Sequence, residues 1–305
     1  MKITKIECHV LLDPEYDPAA TSSAQDDLVV EVHTDEGIVG IGETDLNPWI
    51  ARECIEAPGT HTMDQGLGSM LIGENPLEIE KLWWKAYQAT AMTGRRGALI
   101  NALGAIDMAL WDIAGKAADK PVWQLLGEKS REHLGAYASL QPEVGSFDAY
   151  ITSMVKWAHS AKEMGFRAAK LETTFSGPYA NMGIREDDEK MTEVIRAVRN
   201  AVGPDFTLMV DVQYAFDSVD RAIKTINTWQ EFDLFFVETP LWVDDLEGLS
   251  KLVAATPIKI ASGEWLSTRY EFADLIKYGN VGVVQPDIGR VGGLSEARNV
   301  CNMAK

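Results

Sequence analysis

The sequence is poor in positive charge. Its 305 residues carry 28 Lys and Arg against 46 Asp and Glu, a net charge of −18 at pH 7. Nucleic acids and anionic membrane surfaces are gripped by basic patches, so neither is expected as the main partner. A small anionic substrate stays open, because a single local cation can recruit it. Cysteine is scarce as well. Cys8, Cys54 and Cys301 are odd in number, far apart and without CxxC spacing. That argues against a disulfide framework or thiolate zinc site and points to a reducing cytoplasm. No run of 18 apolar residues marks a transmembrane helix, and the N-terminus MKITKIECHVLLDPEYD lacks the apolar core of a signal peptide. The Gly-x-Gly-x-x-Gly fingerprint of dinucleotide-binding sheets is absent.

What is present is the composition of a folded globular protein, 46% hydrophobic and 24% charged, which excludes disorder and low complexity. The length suggests about two domains. Ile3, Ile6, Cys8 and Val10 lie among polar residues and predict a half-buried strand. The runs Leu28 to His33 and Gly37 to Glu43 flank a Thr34-Asp35-Glu36-Gly37 turn and predict a hairpin, hence a small antiparallel sheet. Asn75 and Pro76 predict a helix start, with Ile79, Leu82, Trp83 and Ala86 on one face. A longer apolar helix is predicted from about Gly97 to Ala118, ahead of Pro121.

After Gly127 the rhythm changes. The apolar runs Leu134–Leu140, Ala168–Leu171, Thr207–Val210, Leu234–Val237, Ile258–Ala261 and Val281–Val284 alternate with amphipathic helices starting near Phe147, Asp187, Ser218, Asp245, Thr268 and Leu294. Continuous apolar strands separated by helices imply a parallel sheet covered on both faces. Six such units without a phosphate loop favour a (β/α) barrel. The expected architecture is therefore α/β: an N-terminal α+β domain over residues 1–127 and a modified, incomplete TIM (β/α) barrel over 128–305 with about six units.

Barrel active sites lie at the C-terminal ends of the strands. The residues closing the apolar runs are Lys170 and Glu172, Asp211, Glu238, Glu264 and Asp287. Asp211 to Glu238 is 238 − 211 = 27 residues, and Glu238 to Glu264 is 264 − 238 = 26, one helix and one strand each. Three carboxylates are thus expected to end consecutive strands at nearly the same height. Strands lie about 4.8 Å apart, so the three acids can aim at one spot. Bare carboxylates that close repel and raise each other's pKa, and a divalent cation removes the cost. An all-oxygen ligand set selects a hard ion, Mg2+ first and Mn2+ second. Lys170 and Glu172 are two apart and share a strand face, where an ion pair in the barrel wall is the plain alternative. Asp287 can equally be a helix cap.

These stretches resemble the enolase superfamily in its mandelate racemase / muconate lactonizing enzyme-like branch. Gly40-Ile41-Gly42-Glu43 is similar to the family's G-x-GE hairpin end. Ala105-Ile106-Asp107 through Gly115-Lys116, then Pro121-Val122-Trp123-Gln124-Leu125-Leu126-Gly127, resembles its helix and linker into the barrel. Val210-Asp211, Val237-Glu238-Thr239-Pro240, Ser262-Gly263-Glu264, and Gln285-Pro286-Asp287 through Gly292-Gly293 resemble its successive strand ends. The resemblance spans nearly the whole chain. It implies an N-terminal capping domain on a modified barrel, Mg2+ held by Asp211, Glu238 and Glu264, and removal of the proton α to a carboxylate. Specificity in the family comes partly from cap loops, here about Asp13–Asp27 and Leu46–Met63. The long stretch Thr173–Asp187 is a further candidate loop, and Arg185 and Arg290 are candidate partners of a second anionic group or plain solvated charges.

Two departures from the family pattern matter. The family's strand signature Lys-x-Lys is here Lys170-Leu171-Glu172. The first lysine remains available to a substrate carboxylate, but the second, a base in relatives, is a glutamate. Two-base racemisation is disfavoured, whereas β-elimination runs with one base. In the family the residue matching Asp287 supports a histidine base at the end of the seventh strand. None of His9, His33, His61, His133 and His159 falls at such a position. Gln213 also stands where Asn is common.

The expectation is a cytoplasmic Mg2+-dependent lyase, a dehydratase of a sugar acid, with Lys170, Glu172 and Asp287 as catalytic candidates. Its partner is a small carboxylate substrate, and its state a homo-oligomer. An epimerase, racemase or cycloisomerase is the runner-up in the same fold, and a non-catalytic metal- or ligand-binding relative or inactive fragment is the rival of another class. A typical eight-unit barrel needs about 250 residues. The 178 that follow residue 127 hold six units, so a C-terminally truncated sequence is also expected.

Overall fold

A computed structural model describes residues 1–17, 25–127, 129, 131–140, 145–180 and 184–305. The middle of the Asp13–Asp27 stretch and residues 181–183 of the Thr173–Asp187 stretch lie outside the described residues. The chain divides into two compact units: Met1–Ser130 with Glu264–Ala273 and Pro286–Lys305, and Arg131–Gly263 with Asp274–Gln285.

The first unit opens with an antiparallel sheet of β1 (Ile3–Leu12), β2 (Asp26–Thr34) and β3 (Val39–Thr44), in that order. Alternation decides which face is buried: Leu28, Val30 and Val32 are wholly buried on one side of β2. The β2–β3 turn works as the sequence predicts, with Gly37 at φ 79° and the Thr34 hydroxyl accepting from Ile38 N at 3.1 Å. Pro48–Glu56 then forms α1, within a stretch read as a cap loop. Asn47 caps it by accepting from Ile50 N at 3.3 Å, and Pro48 sits in its first turn. A short α2 (Leu67–Leu71) follows. Helix α3 (Ile79–Ala89) starts later than Asn75-Pro76 suggests. Asn75 Oδ1 accepts from Leu77 N at 3.1 Å, which closes a turn instead of capping the helix.

Helix α4 (Ala98–Ala118) is the centre of this unit. It is long and apolar enough to cross a membrane, yet 78% of its most apolar 18-residue window is buried inside the protein. Its backbone explains the Gly-x-Gly of β3. A Cβ on Gly40 would stand 2.1 Å from the Ala109 carbonyl oxygen, and one on Gly42 1.9 Å from that of Ala105. Only glycine lets strand and helix backbones approach so closely. Short α5 (Val122–Leu126), α10 (Thr268–Asp274), α11 (Ile288–Val291) and α12 (Leu294–Met303) complete the helices around it. Trp83 Nε1 donates to Gly292 O at 2.9 Å, and Trp111 Nε1 to Ser295 Oγ at 2.9 Å. The carboxylate of Asp107, on α4, accepts from Ser295 N at 2.9 Å and Ser295 Oγ at 2.6 Å, holding the first turn of α12.

The second unit is a parallel sheet of six strands in sequence order: β4 (Ala138–Leu140), β5 (Ala168–Glu172), β6 (Thr207–Asp211), β7 (Leu234–Glu238), β8 (Ile260–Ser262) and β9 (Val283–Val284). Helices α6 (Phe147–Glu163), α7 (Asp188–Val202), α8 (Val219–Asn227) and α9 (Leu246–Ala255) follow β4 to β7 in turn. This is the (β/α) barrel arrangement, with strands shorter than the apolar runs at β4, β8 and β9. Leu171, Leu208, Val210 and Val237 are wholly buried in the strands, as are Met154, Ile195 and Leu252 in the helices.

Candidate functional site

Strand register sets out the site. In the parallel pairs Glu172 lies opposite Asp211, and Asp211 opposite Glu238, so three acids end β5, β6 and β7 side by side. An irregularity makes this possible. From Leu208 to Val210 on β6 is two steps, whereas the matching stretch of β7 runs three steps, from Leu234 to Val237. The extra residue is taken up by a bulge; in a straight register continued from Leu208–Leu234, Val237 and not Glu238 would face Asp211. On β8 the residue level with Glu238 is Ala261. Asp211 and Glu238 are level, and Glu264 comes three residues after Ala261, past the end of β8.

Lys170 joins the acids of β6 and β7. Its Nζ lies 2.8 and 2.9 Å from the two Glu238 oxygens and 3.6 Å from Asp211 Oδ2. Lys170 thus pairs in this wall with Glu238, two strands away. The Lys170 ammonium also stands 5.9 Å from the Tyr137 ring. Beneath the charges Met209, Phe236 and Ala261 form a buried apolar cluster, with Ala168 and Val283 packed on it. That floor excludes water and strengthens each electrostatic interaction.

The pKa directions follow. Burial, then the charge of Asp211, hold the Glu238 carboxyl well above the usual carboxylate range against the pull of Lys170 and Gln285. Burial alone would lower the Lys170 ammonium; the charges of Glu238 and Asp211 outweigh it and hold the group above its ordinary value, protonated. Mutual repulsion between Asp211 and Glu238 is thus written into the site, and Lys170 offsets part of it.

Several contributors carry no chemical signature in the sequence. Thr239 has φ 47°, a left-handed value rare for a β-branched residue, and its hydroxyl donates to Asp211 Oδ1 at 2.9 Å. Gln213 and Tyr214, just past β6, also have positive φ, and Gln213 N donates to the same Asp211 oxygen at 3.0 Å. The Gln285 side chain hydrogen-bonds Glu238. The signal available for Thr239 and Gln285 was their place beside strand-end acids, nothing in their chemistry.

The donor set fits a hard divalent cation. Asp211 and Glu238 present only oxygens, are 7% and 2% exposed, and repel each other. Among the described residues, Gln213 Oε1, Ser262 Oγ and Gln285 Oε1 in the same unit are buried without a hydrogen-bond partner. Buried orphans of this kind call for an ion, a water or a ligand.

The remaining candidates fall in other surroundings. Asp287 caps α11, accepting from Gly289 N at 2.8 Å. Arg290 is no solvated charge: it is hydrogen-bonded to both oxygens of Asp45. Arg185 is exposed and donates to Gly177 O at 3.0 Å. Glu264 belongs to the first unit with Asp287. In that unit Asp27 and Glu43 share a hydrogen bond between carboxyls, and burial raises both. Glu43 closes the G-x-GE motif, whose significance the sequence left at resemblance.

Known proteins bear on this geometry. A family model described as "Mandelate racemase / muconate lactonizing enzyme, N-terminal domain" matches residues 5–127, and one described as "Enolase C-terminal domain-like" matches residues 153–305. A D-galactarolactone cycloisomerase of Agrobacterium fabrum is 32% identical, over 100% of this chain and 76% of its own length. An L-rhamnonate dehydratase of Saccharopolyspora erythraea is 33% identical over 91% of this chain; the match spans 64% of that enzyme. The crystal structure of a racemase from Streptomyces coelicolor with bound magnesium superposes with a TM-score of 0.84 at 26% identity, covering 99% of this chain and 80% of its own.

Proposed function

Because the chain belongs to the mandelate racemase / muconate lactonizing enzyme family of the enolase fold, we propose that it is a Mg2+-dependent dehydratase of a sugar acid. Asp211, Glu238 and Glu264 would hold the ion, and Lys170, Glu172 and Asp287 would complete the site. The bound ion supplies positive charge against the second negative charge that builds on a substrate carboxylate as its α proton leaves.

The chain's own residues do the rest. Lys170, held protonated among buried acids, acts as a fixed cation: it binds and orients a carboxylate and does not serve as the base. Thr239 and Gln285 fix the orientations of Asp211 and Glu238. The observation that carries the choice of reaction is Glu172. It stands in register with Asp211, where relatives keep a second lysine, and an anion there has no ammonium proton to return to the opposite face of the substrate. Removal of the α proton on one side, to Glu172 as the candidate acceptor, followed by loss of the β-hydroxyl as water, would fit this arrangement better than inversion. The three free thiols fit a cytoplasmic enzyme.

A panel of sugar acids in D2O tests the reading. A 2-keto acid should form with Mg2+ present and not after Asp211→Asn. Deuterium entering recovered substrate with no keto acid would replace dehydration by epimerisation. The cycloisomerase relative favours a second reading, ring opening of an acid-sugar lactone without water loss, which the same panel reads once lactones are included. Mg2+ binding without turnover of any panel member would make the chain a non-catalytic relative.

A further inference from the structure

The outer face of the N-terminal sheet carries an arrangement unconnected with the barrel acids. On β1, Glu7 stands directly opposite Glu31 of β2. Like charges placed so across a strand pair destabilise it. Two imidazoles flank them. His33 Nε2 lies 2.9 Å from Glu7 Oε2 and 3.4 Å from Glu31 Oε2, and His9 Nε2 lies 3.5 Å from the same Glu31 oxygen. One atom each from Glu7, Glu31 and His33 falls within 4.8 Å of the others. His33 Nε2 is sealed from solvent and makes no hydrogen bond, although it faces two carboxylates. Lys5 Nζ is 2.5 Å from Glu7 Oε1 and leaves Oε2 to the cluster.

We propose that Glu7, Glu31 and His33 form a second metal site that takes Zn2+ or a similar borderline divalent ion, with a water in the fourth position. Tetrahedral Zn2+ with ligands at about 2.0–2.1 Å places neighbouring donors roughly 3.3 Å apart. The separations of His33 Nε2 from the two carboxylates, 2.9 and 3.4 Å, bracket that edge. Imidazole nitrogens select Zn2+, Ni2+ or Cu2+ over Mg2+, so this site and the barrel acids sort different ions. The bound ion would clamp β1 to β2 by cancelling the repulsion between two opposed glutamates.

The test uses the untagged full chain in excess Mg2+, titrated with Zn2+ against a chromophoric chelator, with Co2+ as a spectroscopic stand-in. One equivalent of Zn2+ should bind with a Kd below about 10 μM. Co2+ should show the strong visible bands of four-coordinate geometry. His33→Ala, His33→Gln and Glu31→Gln should each weaken binding at least about tenfold and remove the bands, while Asp211→Asn leaves both unchanged. All three sheet variants sit on a partly exposed face, so circular dichroism without Zn2+ should match the parent. Zn2+ binding weaker than about 10 μM, or binding that survives His33→Ala and disappears in Asp211→Asn, overturns the proposal.

Discussion

Lys170→Met separates the two jobs that a cation does among the barrel acids. In the parent chain the Lys170 side chain is 14% exposed and its partners Glu238 and Asp211 are 3% and 10% exposed. Removing the lysine leaves two buried carboxylates facing each other. Breaking a buried pair in this way costs about 3–5 kcal/mol. Met keeps the stem's apolar volume, so the loss is electrostatic. A divalent ion bound to the same oxygens supplies the missing charge. Mg2+ should therefore stabilise the variant more than the parent, in which Lys170 occupies both Glu238 oxygens and competes for them. At a hundredfold excess over Kd, binding adds about 2.7 kcal/mol, and the variant reaches that excess at a lower Mg2+ concentration. Urea unfolding of both proteins in EDTA and across a Mg2+ series reads the difference. The expected result is a large gap in EDTA that narrows as Mg2+ rises. Parallel curves, with the same gap at every Mg2+ concentration, would refute the assignment of Asp211 and Glu238 as the metal's ligands.

Three further outcomes follow from the same geometry. Asp211→Asn should weaken Mg2+ binding at least about tenfold by calorimetry, because one of the charged donors is lost while its Thr239 hydrogen bond can persist. Burial pushes the Asp107 carboxyl up to about 7, against the pull of Ser295. A raised carboxyl stabilises the fold fully below its unfolded value near 3.9, and that contribution is lost as pH rises through 7. The unfolding free energy from urea titrations should therefore fall between about pH 4 and pH 8, by on the order of 4 kcal/mol at most, and Asp107→Asn should flatten the profile. Gly42→Ala drives a methyl into the Ala105 carbonyl. The backbone there belongs to the core helix and has little room to give, so a loss of about 3 kcal/mol or more in thermal unfolding is expected.

Much of the fold was legible because helix starts and strand runs are local signals. Helices α6, α7 and α9 start where the sequence places them, near Phe147, Asp187 and Asp245, and the side chains of Ser146, Asp187 and Asp245 cap them. The parallel order of six strands follows from apolar runs alternating with amphipathic helices. Other features depend on distant partners. The β7 bulge is a property of a strand pair and leaves no mark in β7 alone, so the spacing of Asp211 and Glu238 does not show how the two acids come level. Asn47-Pro48 and Asn75-Pro76 are the same dipeptide with opposite outcomes: the first opens α1, the second closes a turn before α3. Gly40 and Gly42 could be matched to a family, but their reason emerged only with the α4 backbone against β3.

The single extra residue in β7 makes the strand ends, not the strand lengths, the quantity that the wall holds constant. Two steps of β6 and three of β7 join the same rungs, Leu208–Leu234 and Val210–Val237, and the bulge takes up the difference before Asp211 meets Glu238. Deleting one residue between Leu234 and Val237 would let the two strands count step for step and still set Glu238 opposite Asp211. The spacing in sequence between the two acids is therefore free to change by one at this point without separating them.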